Sequence, residues 1–393
     1  MPFYGRLKVI MPKDSVIYLD NSATTMVCTE SAQKAFEVMT LYYGNPSSNH
    51  AMGIEAEKIV LDAKKNVSHA IGCKADEVFF TSGGTEANNL AIFGAVNALK
   101  RRGNRIVTTQ IEHSSVISAI NELEKQGFEV IRLRPSQNGK INEKDIYSAI
   151  TKETILVSLM LVNNETGSVQ PVSVAKKAVR ATNSQALVHC DAVQAFCKMP
   201  LNLATLGADL VSVSAHKIHA PKGVGALYIK NGVRIVPMFY GGGQQKGIRT
   251  GTEPVPLIAA FGIAADIAFK NMQAITNQTA ELKEFLINKL LNIPDVTINS
   301  SDDALPFILN FSVNGVKSEV MLNLLSSQGI YISSGSACSK GKKSHVLTAM
   351  GLPTQKIDSA LRVSFSRYNT IEDCTRFYEA VARGAETLQK VRN

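Results

Sequence analysis

Tryptophan is absent from this chain, cysteine occurs only six times in 393 residues, and no apolar run is long enough for a membrane span. Each shortage excludes something. A span needs about 20 consecutive apolar residues. The longest candidate, 257–265, continues past Asp266 only as far as Phe269 and reads as a buried helix. Near the N-terminus Lys8, Lys13 and Asp14 break up any stretch that could act as a secretory signal. The expectation is a cytoplasmic protein that does not enter a membrane. The cysteines, at 28, 73, 190, 197, 338 and 374, include no Cys-x-x-Cys pair, so neither a disulfide framework nor a zinc site is expected. Five of them read as ordinary small apolar residues. The formal charge is +9, but the basic residues are scattered. Their densest group, Lys340, Lys342 and Lys343, is short and interleaved with glycine and serine. Without aromatic–basic alternation, nucleic acid is not an expected partner. The positive balance suits an anionic small molecule or an acidic partner protein instead.

Apolar residues make up 45% of the chain and charged residues 19%, as in an ordinary globular protein. The length exceeds one core and predicts two domains or three. From 77 to 229 the pattern alternates. Strands are expected at 77–81, 105–109, 128–133, 154–162, 186–191, 210–214 and 225–229. Helices are expected at 85–100, 115–126, 143–150 and 172–182. Such alternation predicts an α/β fold with a mostly parallel sheet covered on both faces, whose ligands sit beyond the carboxyl ends of its strands. After Gly241-Gly242-Gly243 two helical runs follow, 256–271 and 278–291. A shorter pattern, 304–313, 318–328, 331–334, 361–364 and 371–391, then suggests a smaller C-terminal unit.

Four short strings carry chemistry. Thr81-Ser82-Gly83-Gly84-Thr85-Glu86 leaves an apolar strand and opens a helix. Free N–H groups at a helix N-terminus favour phosphate, although an ordinary capped turn explains the same residues. Val213-Ser214-Ala215-His216-Lys217 puts a lysine at the end of an apolar strand. A desolvated lysine there forms Schiff bases with carbonyls; taken alone, an exposed loop lysine is the commoner case. In His189-Cys190-Asp191-Ala192-Val193-Gln194 a carboxylate ends a strand. It can hold a pyridinium nitrogen protonated or simply cap the next helix. Ile111-Glu112-His113 offers an imidazole one strand away, able to stack on a flat ring or move protons, though a lone histidine is more often structural. Together, on one strand edge, these are the requirements of pyridoxal phosphate.

The order and spelling of these strings resemble the cysteine desulfurases, relatives of the class V aminotransferases of fold-type I. The resemblance extends over nearly the whole chain. It takes in Tyr18-Leu19-Asp20-Asn21-Ser22-Ala23-Thr24-Thr25, Gly44-Asn45-Pro46-Ser47-Ser48, Asn163-Asn164-Glu165-Thr166-Gly167, Gly241-Gly242-Gly243-Gln244, Arg249-Thr250-Gly251-Thr252, Ser333-Ser334-Gly335-Ser336-Ala337-Cys338 and Leu361-Arg362-Val363-Ser364. It implies a large cofactor-binding domain over 27–260 with a seven-stranded sheet between helices. It also implies a small α/β domain formed by 1–26 and 261–393. Lys217 would bind pyridoxal 5'-phosphate covalently. His113 would stack on the ring and assist protonation, Asp191 hold its nitrogen and Gln194 its hydroxyl. Gly84, Thr85, Ser214 and His216 would hold the phosphate. Thr252 would reach it from the other subunit of a homodimer. Asn164 and Arg362 would hold the carboxylate of L-cysteine.

Cys338 separates members of this family. It sits in a Gly/Ser-rich, lysine-bearing segment that reads as an exposed loop, and nearby lysines favour its thiolate. The resemblance implies that Cys338 takes the substrate sulfur as a persulfide and passes it to an acceptor protein, leaving alanine. Three departures stand out. Met26 replaces the usual proline, Ala220 the usual glycine, and the loop from Cys338 to Ser344-His345 is about two residues shorter than usual. An aminotransferase or selenocysteine lyase on the same scaffold, or an idle homologue acting as a scaffold, are the competing readings.

Overall fold

The computed structural model describes residues 16–334 and 343–388. In chain order the elements are β1 (Ile17–Tyr18), α1 (Thr29–Leu41), α2 (Ala51–Ile71), β2 (Val78–Thr81), α3 (Gly84–Leu99), β3 (Arg105–Thr109), α4 (Ser114–Lys125), β4 (Glu129–Leu133), α5 (Glu143–Ala149) and β5 (Thr154–Met160). They continue with α6 (Val172–Ala181), β6 (Leu187–Asp191), α7 (Leu203–Leu206), β7 (Leu210–Ser214), β8 (Gly225–Ile229), α8 (Val255–Lys270), α9 (Met272–Leu290) and β9 (Val296–Ile298). The last are β10 (Ile308–Val313), α10 (Ser318–Ser327), β11 (Ile330–Tyr331), α11 (His345–Ala349), α12 (Thr354–Asp358), β12 (Ala360–Ser364) and α13 (Ile371–Thr387).

Seven strands form one sheet in the order β2-β8-β7-β6-β5-β3-β4. Only β8 runs against its neighbours, so the mostly parallel sheet expected from the alternation is present. Its centre shows why the pattern reads so clearly. Every residue of β5 is buried, as required of a strand covered on both faces. Successive side chains point to opposite faces, and the core divides accordingly. Phe79, Ile106, Leu156, Leu210 and Leu227 pack with α3 and α4. Their next neighbours, Phe80, Val107, Val157, Val211 and Tyr228, join the cluster formed by α2, α6 and α8.

A separate apolar cluster gathers Ile17 and Leu19 with Leu286, Phe311, Val363 and Phe377. It lies on the antiparallel sheet β12-β10-β9, backed by α9, α10 and α13. A fourth cluster packs Val346, Leu347 and Met350, from α11 and the residue after it, on Ile111 and Met160, beside the carboxyl ends of β3 and β5. Among the described residues no single helix is long and apolar enough to cross a membrane. The apolar helix α8 is largely buried, with α1 and α2 its main neighbours.

Candidate active site

Because β2, β3, β5, β6 and β7 run the same way, their carboxyl ends share one edge. The four strings singled out above all lie there. At β2 the chain turns into α3, whose N-terminus crosses over the ends of β6 and β7. The approach is close. A Cβ on Gly84 would lie 2.9 Å from Val193 Cγ2 and 3.5 Å from Ser214 Cβ. Ser214 is buried, and Thr85 is exposed in the first turn of α3. The first-turn N–H groups and the helix dipole make this mouth attractive to an anion. Glu86 accepts the Ser82 N–H at 3.2 Å and pairs with Arg249 at 2.9 Å. His216 bonds through Nδ1 to Thr24 Oγ1 at 3.2 Å. Burial first, and then the neighbouring charge of Lys217, push its pKa down to about 3, so the imidazole is neutral at ordinary pH.

Asp191 closes β6 inside the protein. Its Oδ1 accepts the Val193 N–H at 3.0 Å, and its Oδ2 accepts from Asn88 Nδ2 at 2.8 Å. The same Asn88 nitrogen donates to Ser115 Oγ at 2.9 Å. Ser115 in turn meets His113 Nδ1 at 2.8 Å and gives that nitrogen its N–H at 3.2 Å. Asp191, Asn88, Ser115 and His113 are therefore one connected network. With Nδ1 accepting, the ring proton of His113 falls on Nε2. Burial holds the His113 pKa below its usual value; Asp191 opposes this, while Lys217 and His345 add to it.

Lys217 follows β7 by three residues. Its ammonium rests on two backbone carbonyls, those of Ser22 and Ala23, the latter at 2.7 Å. The Ser22 carbonyl also accepts from Gln194 Nε2 at 3.0 Å, which brings Lys217 and Gln194 together. The loop behind Lys217 is tightly specified. His219 has φ of 69°, uncommon for a non-glycine residue. It is pinned by Thr25 Oγ1, which accepts its N–H at 2.8 Å, and by a 2.8 Å bond between Nδ1 and the Met26 carbonyl. Ala220, where the resemblance expects glycine, is fully buried.

Arg362, on β12, is buried. It donates to Asp20 Oδ1 at 2.7 Å and to the Asn164 carbonyl at 2.9 Å. Beside it, Glu165 is buried and accepts from Ser344 Oγ at 2.5 Å; burial raises its pKa against the pull of Ser344, His345 and Arg362. The arrangement thus brings a phosphate-sized cradle, a buried carboxylate, an imidazole, a carbonyl-held lysine and an arginine to one strand edge.

Of the sequence-expected residues within the described ones, Thr252 stands apart. Thr252 is exposed before α8, and among the described residues no hydrogen bond ties it to the others. Cys338 lies outside the described residues. Conversely, sequence reading passed over Asn88, Glu112 and Lys198. Their common signal is a polar residue at a buried position, with Asn88 four residues into α3 on its apolar face.

The chain is similar to known proteins over nearly its whole length. A cysteine desulfurase of Trichormus variabilis is 41% identical over 381 residues, spanning 96% of this chain and 95% of its own. A solved NifS-like protein superposes with a TM-score of 0.90 at 35% identity, covering 95% of this chain and all of its own. A second solved structure, SspA in complex with cysteine, gives a TM-score of 0.80 at 31% identity over 90% of this chain and all of its own. The profile of class-V aminotransferases matches residues 17–377, a stretch that runs from β1 into α13 and holds every residue of the strand-edge network, and this chain belongs to that family.

Proposed function

We propose that this protein is a pyridoxal-phosphate-dependent cysteine desulfurase that takes sulfur from L-cysteine, releases L-alanine and carries the sulfur on Cys338. The observation that carries the reading is the placement of Lys217. Its ammonium is held by two carbonyls at the strand edge that also bears Asp191 and His113. The full-length likeness to a protein named cysteine desulfurase supports the choice of reaction.

The cofactor fits the residues present. The Gly84 cradle, which a Cβ would fill, suits its phosphate, with Thr85, Ser214 and His216 around it and Thr252 supplied by the second subunit. Asp191 would face the pyridine nitrogen, Gln194 the ring hydroxyl, and His113 the ring. When bound, the cofactor supplies an electron sink. Lys217 then moves the proton at the substrate's α-carbon, and Arg362 with Asn164 orients the substrate carboxylate, a fork that matches its two oxygens. The thiolate of Cys338 attacks the substrate sulfur. The carbon–sulfur bond breaks, a sulfur–sulfur bond forms, and the released carbon takes up a proton, so cysteine and thiol become alanine and persulfide in balance.

The acceptor of that sulfur is a partner protein, and the chain's positive charge suits an acidic one. A homodimer is supported by an uncovered apolar stripe. Phe36, Met39 and Tyr43, at helical spacing on and just after α1, are all more than half exposed. The chain divides into a cofactor-binding unit, 27–260, and a smaller one, 1–26 with 261–393; the separate apolar cluster built around Leu19, Phe311 and Phe377 supports the smaller unit, while Phe261 and Ala264 on α8 pack with the larger one. Mass spectrometry after one turnover without reductant tests the carrier role. The peptide bearing Cys338 should gain one sulfur atom. Sulfur found on another cysteine, or on none, would contradict it.

A further inference from the structure

Four residues beyond Gln194, in the turn that follows β6, Lys198 is buried. Its Nζ donates to Gln194 Oε1 at 3.2 Å and lies 5.6 Å from the centre of the Phe307 ring. No carboxylate among the described residues pairs with it; burial first, and then the neighbouring cation Arg362, lower its pKa to about 8, so it carries its charge below that pH. Most of the other charged or titratable groups around it are bases, and the exception, the Cys197 thiol, favours its positive charge. Lys217, His219 and Arg367 line with it a cavity of about 30 Å³, room for a single water, and His216 and Cys197 lie close enough to interact with it. Burying an ammonium against one neutral acceptor costs several kcal/mol, so packing alone does not explain this lysine.

What Lys198 accomplishes is visible at Gln194. One side of the amide must donate, because it faces the Ser22 carbonyl at 3.0 Å. The other must accept, because it faces an ammonium. A flipped amide would set NH₂ against the ammonium and oxygen against the carbonyl. The orientation is fixed from both ends, and it keeps the amide nitrogen beside Lys217, which donates to the same Ser22 carbonyl.

We infer that Lys198 is a positioning residue. It locks the Gln194 amide with an N–H toward the cofactor's ring hydroxyl and places a positive charge behind it. The two effects together lower the proton affinity at Lys217 Nζ once the cofactor is attached. This rests on the cofactor reading above and goes beyond it. The hydroxyl's position next to the attachment carbon is a property of the cofactor's covalent structure, so a donor and a cation on that side both disfavour a proton there.

The test uses cofactor-loaded enzyme without substrate, and reads the pH midpoint of its visible absorbance change. Lys198→Met should raise the midpoint by about one unit, a tenfold gain in proton affinity. Lys198→Arg should stay within a few tenths of wild type. Gln194→Leu should raise the midpoint too, and the double variant should fall short of the summed shifts because the residues act as a unit. A purely structural lysine would change the melting temperature and leave the midpoint where it is. Should the methionine variant not fold, Lys198→Gln removes the same charge with the same expected direction. A wild-type midpoint in either neutral variant overturns the inference alone. A wild-type protein that acquires no visible band with pyridoxal phosphate overturns the cofactor reading and this inference together.

Discussion

Glu112 illustrates what single residues decide here. It precedes His113 and is completely buried. Its Oε1 accepts from Thr109 Oγ1 at 2.7 Å and from the Met160 N–H at 3.0 Å, while its backbone carbonyl meets His345 Nε2 at 3.1 Å. Its Oε2 has no partner among the described residues. Burial raises its pKa to about 8, against those two hydrogen bonds and with help from Asp191. The folded protein therefore keeps the proton through a range in which the unfolded chain has lost it. Stability contributed by the protonated acid is present at low pH and drains away as pH rises from the ordinary carboxyl range toward 8. Glu112→Gln, which mimics the protonated form, should be spared that loss. In urea unfolding the variant should gain more than about 2 kcal/mol on wild type between pH 5 and pH 8; a constant difference would refute the assignment. Lys217, Asp191 and His113 stood out in the sequence because each lies at or just beyond the end of a strand. Glu112, Asn88 and Lys198 did not, because a polar side chain turned into the core looks in sequence like one turned to solvent.

At the scale of elements, legibility followed hydrophobic contrast. Strands 105–109, 210–214 and 225–229 have their expected limits, since each is a short, almost wholly buried run rich in aliphatic residues. The helices α1 and α2 escaped the reading. Their buried faces are made largely of small residues, Ser31 and Ala35 in one and Ala56, Ala63 and Ala70 in the other, which stand out little from polar neighbours. Helix α9 begins at Met272 rather than the expected 278 because the chain bends 69° there instead of looping. Small residues also explain how α2 and α8 meet. A Cβ on Gly262 would lie 2.6 Å from Ala63 Cα and 2.8 Å from its Cβ. Gly262→Ala should therefore force the helices apart and cost about 1–3 kcal/mol despite alanine's better helix propensity. An unchanged or raised melting temperature would show that the pair can separate freely.

Across the whole molecule, the sheet gathers one edge while the smaller cluster brings Arg362 to it from β12, more than a hundred residues further along the chain. No sequence pattern announced that meeting; the resemblance supplied it, and the Asp20–Arg362 and Asn164–Arg362 bonds give it a physical form. The exposed stripe on α1 belongs to this scale as well. An uncovered apolar face of this kind marks an interaction surface. Replacing Phe36 and Met39 by aspartate should halve the sedimenting mass of a dimer, and a mass that is unchanged would place the interface elsewhere.

The central claim is that this strand edge turns L-cysteine into alanine with Lys217 as the acting base. The most direct measurement is alanine and sulfide released from L-cysteine, in the presence of reductant, by cofactor-loaded wild type beside Lys217→Ala. The account predicts equimolar alanine and sulfide from wild type and neither from the variant. A wild-type protein that carries the cofactor's visible band yet releases no alanine, or a Lys217→Ala variant as active as wild type, would contradict it.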